Sequence, residues 1–207
     1  MRTRCAALLC ALAAVAGAAE TPLFDGKTLA GWDGDTAKTW RVEEGMIVAG
    51  TLAEPAPRNE FLATTQSYRN FVLRLDYKLE GSEGFVNSGV QIRSVRIAQP
   101  PNEMRGYQAD IGKGWSGSIY DESRRNAVIA KADPAVIDKV EKPGDWNHYE
   151  IRCDGARITL SINGTQTVDY TEADATIPRD GLIAVQIHGG GKTIVRFRNL
   201  TIDQLPD

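Results

Sequence analysis

The 207-residue chain has little cysteine, histidine or aromatic content: three Cys, two His, and 7% Phe, Trp and Tyr together. Cys5 and Cys10 both fall in an apolar leader, so its removal leaves Cys153 alone and excludes an intrachain disulfide. A nucleophile elbow, a phosphate loop and an HExxH zinc motif are all missing, and with them the common signatures of serine hydrolases, nucleotide enzymes and zinc proteases. No internal repeat, heptad or low-complexity tract interrupts the chain. Asp33-Gly-Asp35 offers two carboxylates without the rest of a calcium loop.

Residues 1–19 have the pattern of a signal peptide: Arg2 and Arg4, an apolar stretch from 5 to 16, then Ala16-Gly-Ala-Ala19 with cleavage near Ala18 or Ala19. The apolar run is too short for a mature membrane helix, and bulky Leu9 before Cys10 argues against lipoprotein processing. The expectation is an exported protein, periplasmic or extracellular. Without Arg2 and Arg4, the 24 Lys and Arg fall to 22 against 27 Asp and Glu, a net charge of −5. That sign argues against nucleic acid and anionic membrane as partners. An exported chain without a disulfide depends on its hydrophobic core, and residues 20–207 are enough for one all-β domain.

Alternation and turn signals fill that domain. Phe71-Val-Leu-Arg-Leu-Asp-Tyr-Lys-Leu-Glu80 turns Phe71, Leu73, Leu75, Tyr77 and Leu79 one way and Arg74, Asp76, Lys78 and Glu80 the other. Trp40 to Gly50 reads as a hairpin turning at Glu44-Gly45, and Asp154-Gly155 and Asn163-Gly164 set turns in a meander from Asp145 to Tyr170. Helix is expected only as a turn or two between Arg124 and Val140, with Pro134 at its start. Many short strands separated by turns predict an all-β, two-sheet antiparallel sandwich of jelly-roll type.

One strand stands apart. In Gly84-Phe-Val-Asn-Ser-Gly-Val-Gln-Ile-Arg93, one face carries Asn87, Gly89, Gln91 and Arg93 and the other Ser88, Val90 and Ile92. A row of directional donors suits a polyhydroxylated or anionic ligand, and Gly89 is expected to leave space for its approach. Three further segments show the same polar alternation: Gln108 and Asp110 opposite Tyr107, Ala109 and Ile111; Gln186 and His188 opposite Ile183, Val185 and Ile187; and Tyr120 in a short strand after a glycine-rich bend holding Trp115. If these strands share the concave sheet, their outward residues form one pocket. Arg93 and Asp110 could instead form a cross-strand ion pair. His148 reads as structural, Arg196 and Arg198 as solvated or paired charges, and Cys153 as a buried hydrophobe.

Leu23-Phe-Asp-Gly-Lys-Thr-Leu-Ala-Gly-Trp32, Asn87-Ser-Gly-Val-Gln-Ile-Arg93, Gly106-Tyr-Gln-Ala-Asp110, Ser116-Gly-Ser-Ile-Tyr120, Trp146-Asn-His-Tyr-Glu-Ile151, Ile187-His-Gly189 and Phe197-Arg-Asn-Leu200 together resemble the 3-keto-disaccharide hydrolase family. The resemblance runs over essentially the whole mature chain. It implies a concanavalin-like lectin/glucanase sandwich, a glycoside or oligosaccharide substrate oxidised at C3, and site residues at Asn87, Gln91, Arg93, Gln108, Asp110 and His188.

A 3-keto group acidifies the hydrogen at C2. One base can therefore remove it and the C1 substituent can leave by β-elimination, followed by water addition. This needs a base, an enolate stabiliser and binding groups rather than the two facing carboxylates of an ordinary glycosidase, for which only Glu83 and Glu103 offer themselves. The expected catalytic residues are His188, Asp110 and Arg93, with Asn87, Gln91, Gln108, Tyr120, Gln186 and Trp115 binding substrate. No cofactor is assigned; a divalent metal is the alternative to Arg93 as enolate stabiliser. The rival reading is a non-catalytic, lectin-like carbohydrate-binding module on the same fold.

Overall fold

The computed structural model describes residues 20–207; the leader expected over residues 1–19 lies outside the described residues. In chain order the elements are β1 (Thr21–Pro22), β2 (Trp32–Asp33), β3 (Trp40–Glu43), β4 (Met46–Gly50), β5 (Glu60–Tyr68), β6 (Phe71–Gly84), β7 (Asn87–Arg96), β8 (Met104–Gly112), β9 (Ile119–Glu122) and β10 (Ala127–Ala130). They continue with α1 (Pro134–Val140), β11 (Asn147–Asp154), β12 (Arg157–Ile162), β13 (Thr165–Thr171), β14 (Gly181–Ile187) and β15 (Gly191–Gln204). The strands form two antiparallel sheets. A back sheet runs β13-β12-β11-β6-β15-β4-β3 with β1 paired to β15, and a front sheet runs β10-β9-β8-β7-β14-β5-β2. The fold is the expected all-β sandwich.

The core lies between the sheets and is built from the apolar halves of the alternating strands. Phe71, Leu73, Leu75 and Tyr77 of β6, Tyr149, Ile151 and Cys153 of β11, and Val195 and Phe197 of β15 meet Val90, Ile92, Ala109, Ile111, Val185 and Ile187 from the front sheet. All are essentially inaccessible to water, and each large side chain so buried stabilises the fold by roughly 1.5–3 kcal/mol. The one helix among the described residues is short, as expected: Asp133 accepts from the Ala135 N–H at 2.8 Å and Pro134 occupies the first turn.

Two connections pass from one sheet to the other side by side. β6 of the back sheet runs into β7 of the front sheet through Phe85-Val86, and β14 of the front sheet runs into β15 of the back sheet through His188-Gly189-Gly190. The backbones touch there: a Cβ on Gly84 would sit 2.1 Å from the Gly190 carbonyl oxygen, and one on Gly191 would sit 2.3 Å from that of Phe85. Gly84 and Gly190 also have φ of +73° and +87°. The glycine-rich sequence around residues 189–191 thus lets the two crossovers pack against each other. This contact sets His188 beside Phe85.

Candidate functional site

Pairing across the front sheet assembles the polar residues into rows. Gln186 of β14 lies opposite Gly89 of β7, which lies opposite Asp110 of β8. The next row runs Ala184, Gln91, Gln108 and Tyr120 over β14, β7, β8 and β9. At the β14 end, the His188 N–H donates to the Asn87 carbonyl at 3.2 Å, and Asn87 pairs with Gly112. The Ile183, Val185 and Ile187 side chains fill the core, so these residues share the face turned away from it.

Arg93 does not join them. A register irregularity between Ile92 and Val95 breaks the alternation, and Arg93 adopts φ +48°. Its guanidinium donates to the carbonyls of Arg69 at 2.8 Å and Gly155 at 2.7 Å and to Asn70 Oδ1 at 3.0 Å. It therefore clamps β7 to the β5–β6 connection and the β11–β12 turn, and neither the expected placement on the polar face nor an ion pair with Asp110 is realised. The cause is the bulge, which a strict two-residue count carries straight through.

Gly89 corrects a second expectation. A Cβ there would lie 2.6 Å from Gln108 Cγ and 2.7 Å from Gln108 Cδ. The space is taken by the Gln108 side chain, not left open for a ligand. Leaning across Gly89, Gln108 accepts from Gln91 Nε2 at 3.0 Å and donates through Nε2 to Asp110 Oδ1 at 2.8 Å. The Ser94 hydroxyl lies 2.7 Å from Gln91 Oε1. Asp110 Oδ2 and both polar ends of the Gln186 amide are buried and have no hydrogen-bond partner. Buried polar groups are rarely left so.

The acids of this face are neutral-leaning. Burial pushes Asp110 up to about 7 against the opposing Gln108 donor, with Glu122 adding repulsion. Glu122, at the end of β9, is also pushed up to about 7, by burial and then by Glu103. Burial raises Glu103 as well. Of the two acids that an ordinary glucanase would draw on, Glu103 is therefore buried here, whereas Glu83 is exposed and paired with Lys192 at 2.7 Å. Glu122 was legible as the partner of Tyr120 in the alternation Tyr120-Asp-Glu122.

Aromatic rings wall one end. His188 packs edge to face on Phe85 at 4.5 Å between centroids, Phe85 on Trp115 at 6.2 Å, and Trp115 on Tyr120 at 6.1 Å. Phe85 stands 41% exposed in this row. No sequence pattern marked it, because it sits in the crossover and not in a strand. His188 Nδ1 lies 2.7 Å from the Gly189 carbonyl oxygen, which can only accept, so Nδ1 carries a hydrogen and the neutral ring presents Nε2 as the acceptor. Among the described residues, no three His, Cys, Asp or Glu side chains are grouped to hold a metal ion.

The polar half of the face is bordered by an apolar one formed by Phe61, Ala63, Met104 and Ala184. Arg96 ties its edges, donating to the carbonyls of Phe61 at 3.0 Å and of Asp33 and Asn102.

Known structures share this sandwich. A provisionally assigned glycosyl hydrolase from Parabacteroides distasonis superposes with a TM-score of 0.65 at 20% identity, over 90% of this chain and 94% of that one. A second protein of the same description and organism gives 0.64 at 23% identity, over 90% of this chain and 100% of that one. A carbohydrate-binding module from Bacillus subtilis gives 0.64 at 15% identity, over 84% and 96%. At such identities the likeness speaks for the fold. No curated protein matches the chain. Residues 19–203 match the family described as the 3-keto-alpha-glucoside-1,2-lyase-like domain, so nearly the whole chain belongs to that family.

Proposed function

We propose that this protein, exported through its leader, cleaves the glycosidic bond of 3-keto-glycosides by elimination followed by hydration. The observation that carries the reading is the row Gln186-Gly89-Asp110, where a buried carboxyl poised near 7 and an unpartnered amide share one sheet face. Membership of a 3-keto-alpha-glucoside-1,2-lyase-like family supports this choice of substrate class.

The inventory fits the chemistry. A base takes the C2 hydrogen as a proton, and the electron pair of that bond delocalises onto the C3 oxygen as an enolate. The enolate then expels the C1 oxygen substituent, which leaves with a proton from an acid. Water adds across the resulting C1=C2 bond, placing hydroxyl on C1 and hydrogen on C2. His188 Nε2 and Asp110 Oδ2 are the proposed proton carriers; burial pushes Asp110 up to about 7, so that its carboxyl can serve both directions. In place of Arg93, the free Gln186 amide is the proposed donor to the C3 oxygen. Asn87 and Tyr120 contact hydroxyls, and Trp115 and Phe85 pack against a sugar face.

The test is to incubate the mature protein with a 3-keto-disaccharide and with its unoxidised parent in deuterated water, following both by NMR. Cleavage of the keto sugar alone, with deuterium entering C2, is expected. Cleavage without deuterium at C2 would remove the elimination route. A non-catalytic carbohydrate-binding module is the second reading, favoured by the sandwich shared with the Bacillus subtilis module. Under that reading neither sugar is cleaved and His188→Ala retains most of the binding, whereas the enzyme reading expects this variant to lose rate by orders of magnitude.

A further inference from the structure

We infer that Gln108, backed by Gln91 and Ser94, is a positioning residue that gives the two oxygens of Asp110 different tasks. Oδ1 is held by the protein, and Oδ2 alone carries and exchanges the proton. This assignment rests on the acid/base role proposed above and goes beyond it, since Gln91 and Gln108 cease to be substrate ligands.

The polarity of the chain of hydrogen bonds makes the argument. The Ser94 hydroxyl lies 2.7 Å from Gln91 Oε1 and 2.9 Å from the Ile92 carbonyl, Gln91 Nε2 donates to Gln108 Oε1, and Gln108 Nε2 donates to Asp110 Oδ1. An amide nitrogen can only donate, so Oδ1 must stay an acceptor in both protonation states of Asp110. A proton on this carboxyl therefore resides on Oδ2, which is buried without a partner. All three relay residues are buried, Gln91 and Ser94 fully, so water does not compete for their bonds. Gly89 belongs to the device, because Gln108 can cross to Asp110 only over a residue lacking a side chain.

The other groups facing Asp110 are Glu122 and Tyr120 from β9 and Tyr149 from β11, whose hydroxyl donates to the Asp110 carbonyl at 3.3 Å. Glu103 acts on Glu122, and His188 stands on the same face from β14. None of these is altered in the variants below.

The experiment is a carbon-13 NMR titration of the aspartate carboxyls in the wild type, Gln108→Met and Ser94→Ala, with Asp110 assigned through Asp110→Asn. Removing a donor from the charged form raises the Asp110 midpoint, by about one pH unit in Gln108→Met and less in Ser94→Ala. A midpoint that stays put or falls overturns the inference. A fall would mean that the chain runs the other way, with a protonated Oδ1 donating to Gln108.

With a 3-keto-disaccharide, the pH profile of turnover should move with the midpoint while KM changes less than about twofold. A raised KM with an unmoved profile would return Gln108 to direct contact with sugar. If Gln108→Met fails to fold, Gly89→Ala displaces the same side chain at a residue without positive φ and reads the same shift. The NMR titration needs no turnover. It therefore separates failure of the relay from failure of the proposed reaction.

Discussion

On the back sheet, Arg74 reaches Glu150 and Asp203, each at 2.8 Å, His148 lies 3.0 Å from Asp76, Arg196 pairs with Glu80, and Arg198 stacks on Trp146 at 3.9 Å. On the front sheet, Asp110 and Glu122 draw on no cation among the described residues, and burial pushes both up to about 7. The two outer faces carry comparable alternations of polar side chains. The difference is that these back-sheet acids were given cationic partners as they lost water, while Asp110 received only the neutral Gln108 amide on one oxygen and Glu122 no cation. Asp76 shows the first outcome: burial pushes it up, but bonds from His148 and Asn199 outweigh this and hold it below the ordinary range. A carboxyl desolvated without a counter-charge costs stability.

The comparison breaks most visibly in turnover. Asp110→Asn should lower kcat on a 3-keto-disaccharide by about 10²–10⁴-fold, while Asp76→Asn on the back sheet should leave it within about twofold. Equal losses would show that the contrast between the faces has no functional meaning.

Stability against pH sharpens it next. Asp110 is raised from the ordinary aspartate value to about 7, so the folded state binds more protons than the unfolded state between roughly pH 4 and 7. The wild type must therefore lose stability as pH rises through that window. Asp110→Asn, free of the cost, should be more stable than wild type at pH 8 by on the order of 2–4 kcal/mol, and near parity at pH 4 in urea unfolding.

The opposite sign is expected where charges are matched. Burial would raise Glu172, yet bonds from Arg125, the Asp174 N–H, Tyr107 and Tyr170 bring it down to about 2. Its contribution is complete above the ordinary glutamate range and is lost as pH falls through about 2. Glu172→Gln should therefore destabilise by about 1–3 kcal/mol at neutral pH, with kcat nearly unchanged. The smallest effect belongs to the aromatic wall: Phe85→Ala should raise KM by about three- to tenfold at constant kcat, measured by initial rates.

Much of this was legible beforehand. The β6 pattern named its core face residue by residue, Glu44-Gly45 and Asn163-Gly164 marked turns that the structure has, and the outward placement of Gln91, Gln108, Asp110, Gln186 and His188 followed from alternation. Alternation failed at Arg93 because one bulge rotates every later side chain, and bulges carry no composition of their own. It misjudged Gly89 because the atom that needs the space, Gln108 Cγ, comes from the neighbouring strand. It had no means of finding Phe85, whose position depends on the pairing of two crossovers far apart in sequence.

Sequence alone determined the strand faces, the turns and the all-β class, because these depend on the two-residue period of the backbone and on local φ preferences. Tertiary structure decided which strands are neighbours, and therefore which polar groups receive partners. Hydrogen bonds and desolvation act between side chains brought within a few ångströms by sheet pairing. Asp76 and Asp110 are both aspartates on outward strand positions; pairing with His148 of β11 gave one a partner that holds it as an anion, and pairing with Gly89 of β7 left the other buried without a cation.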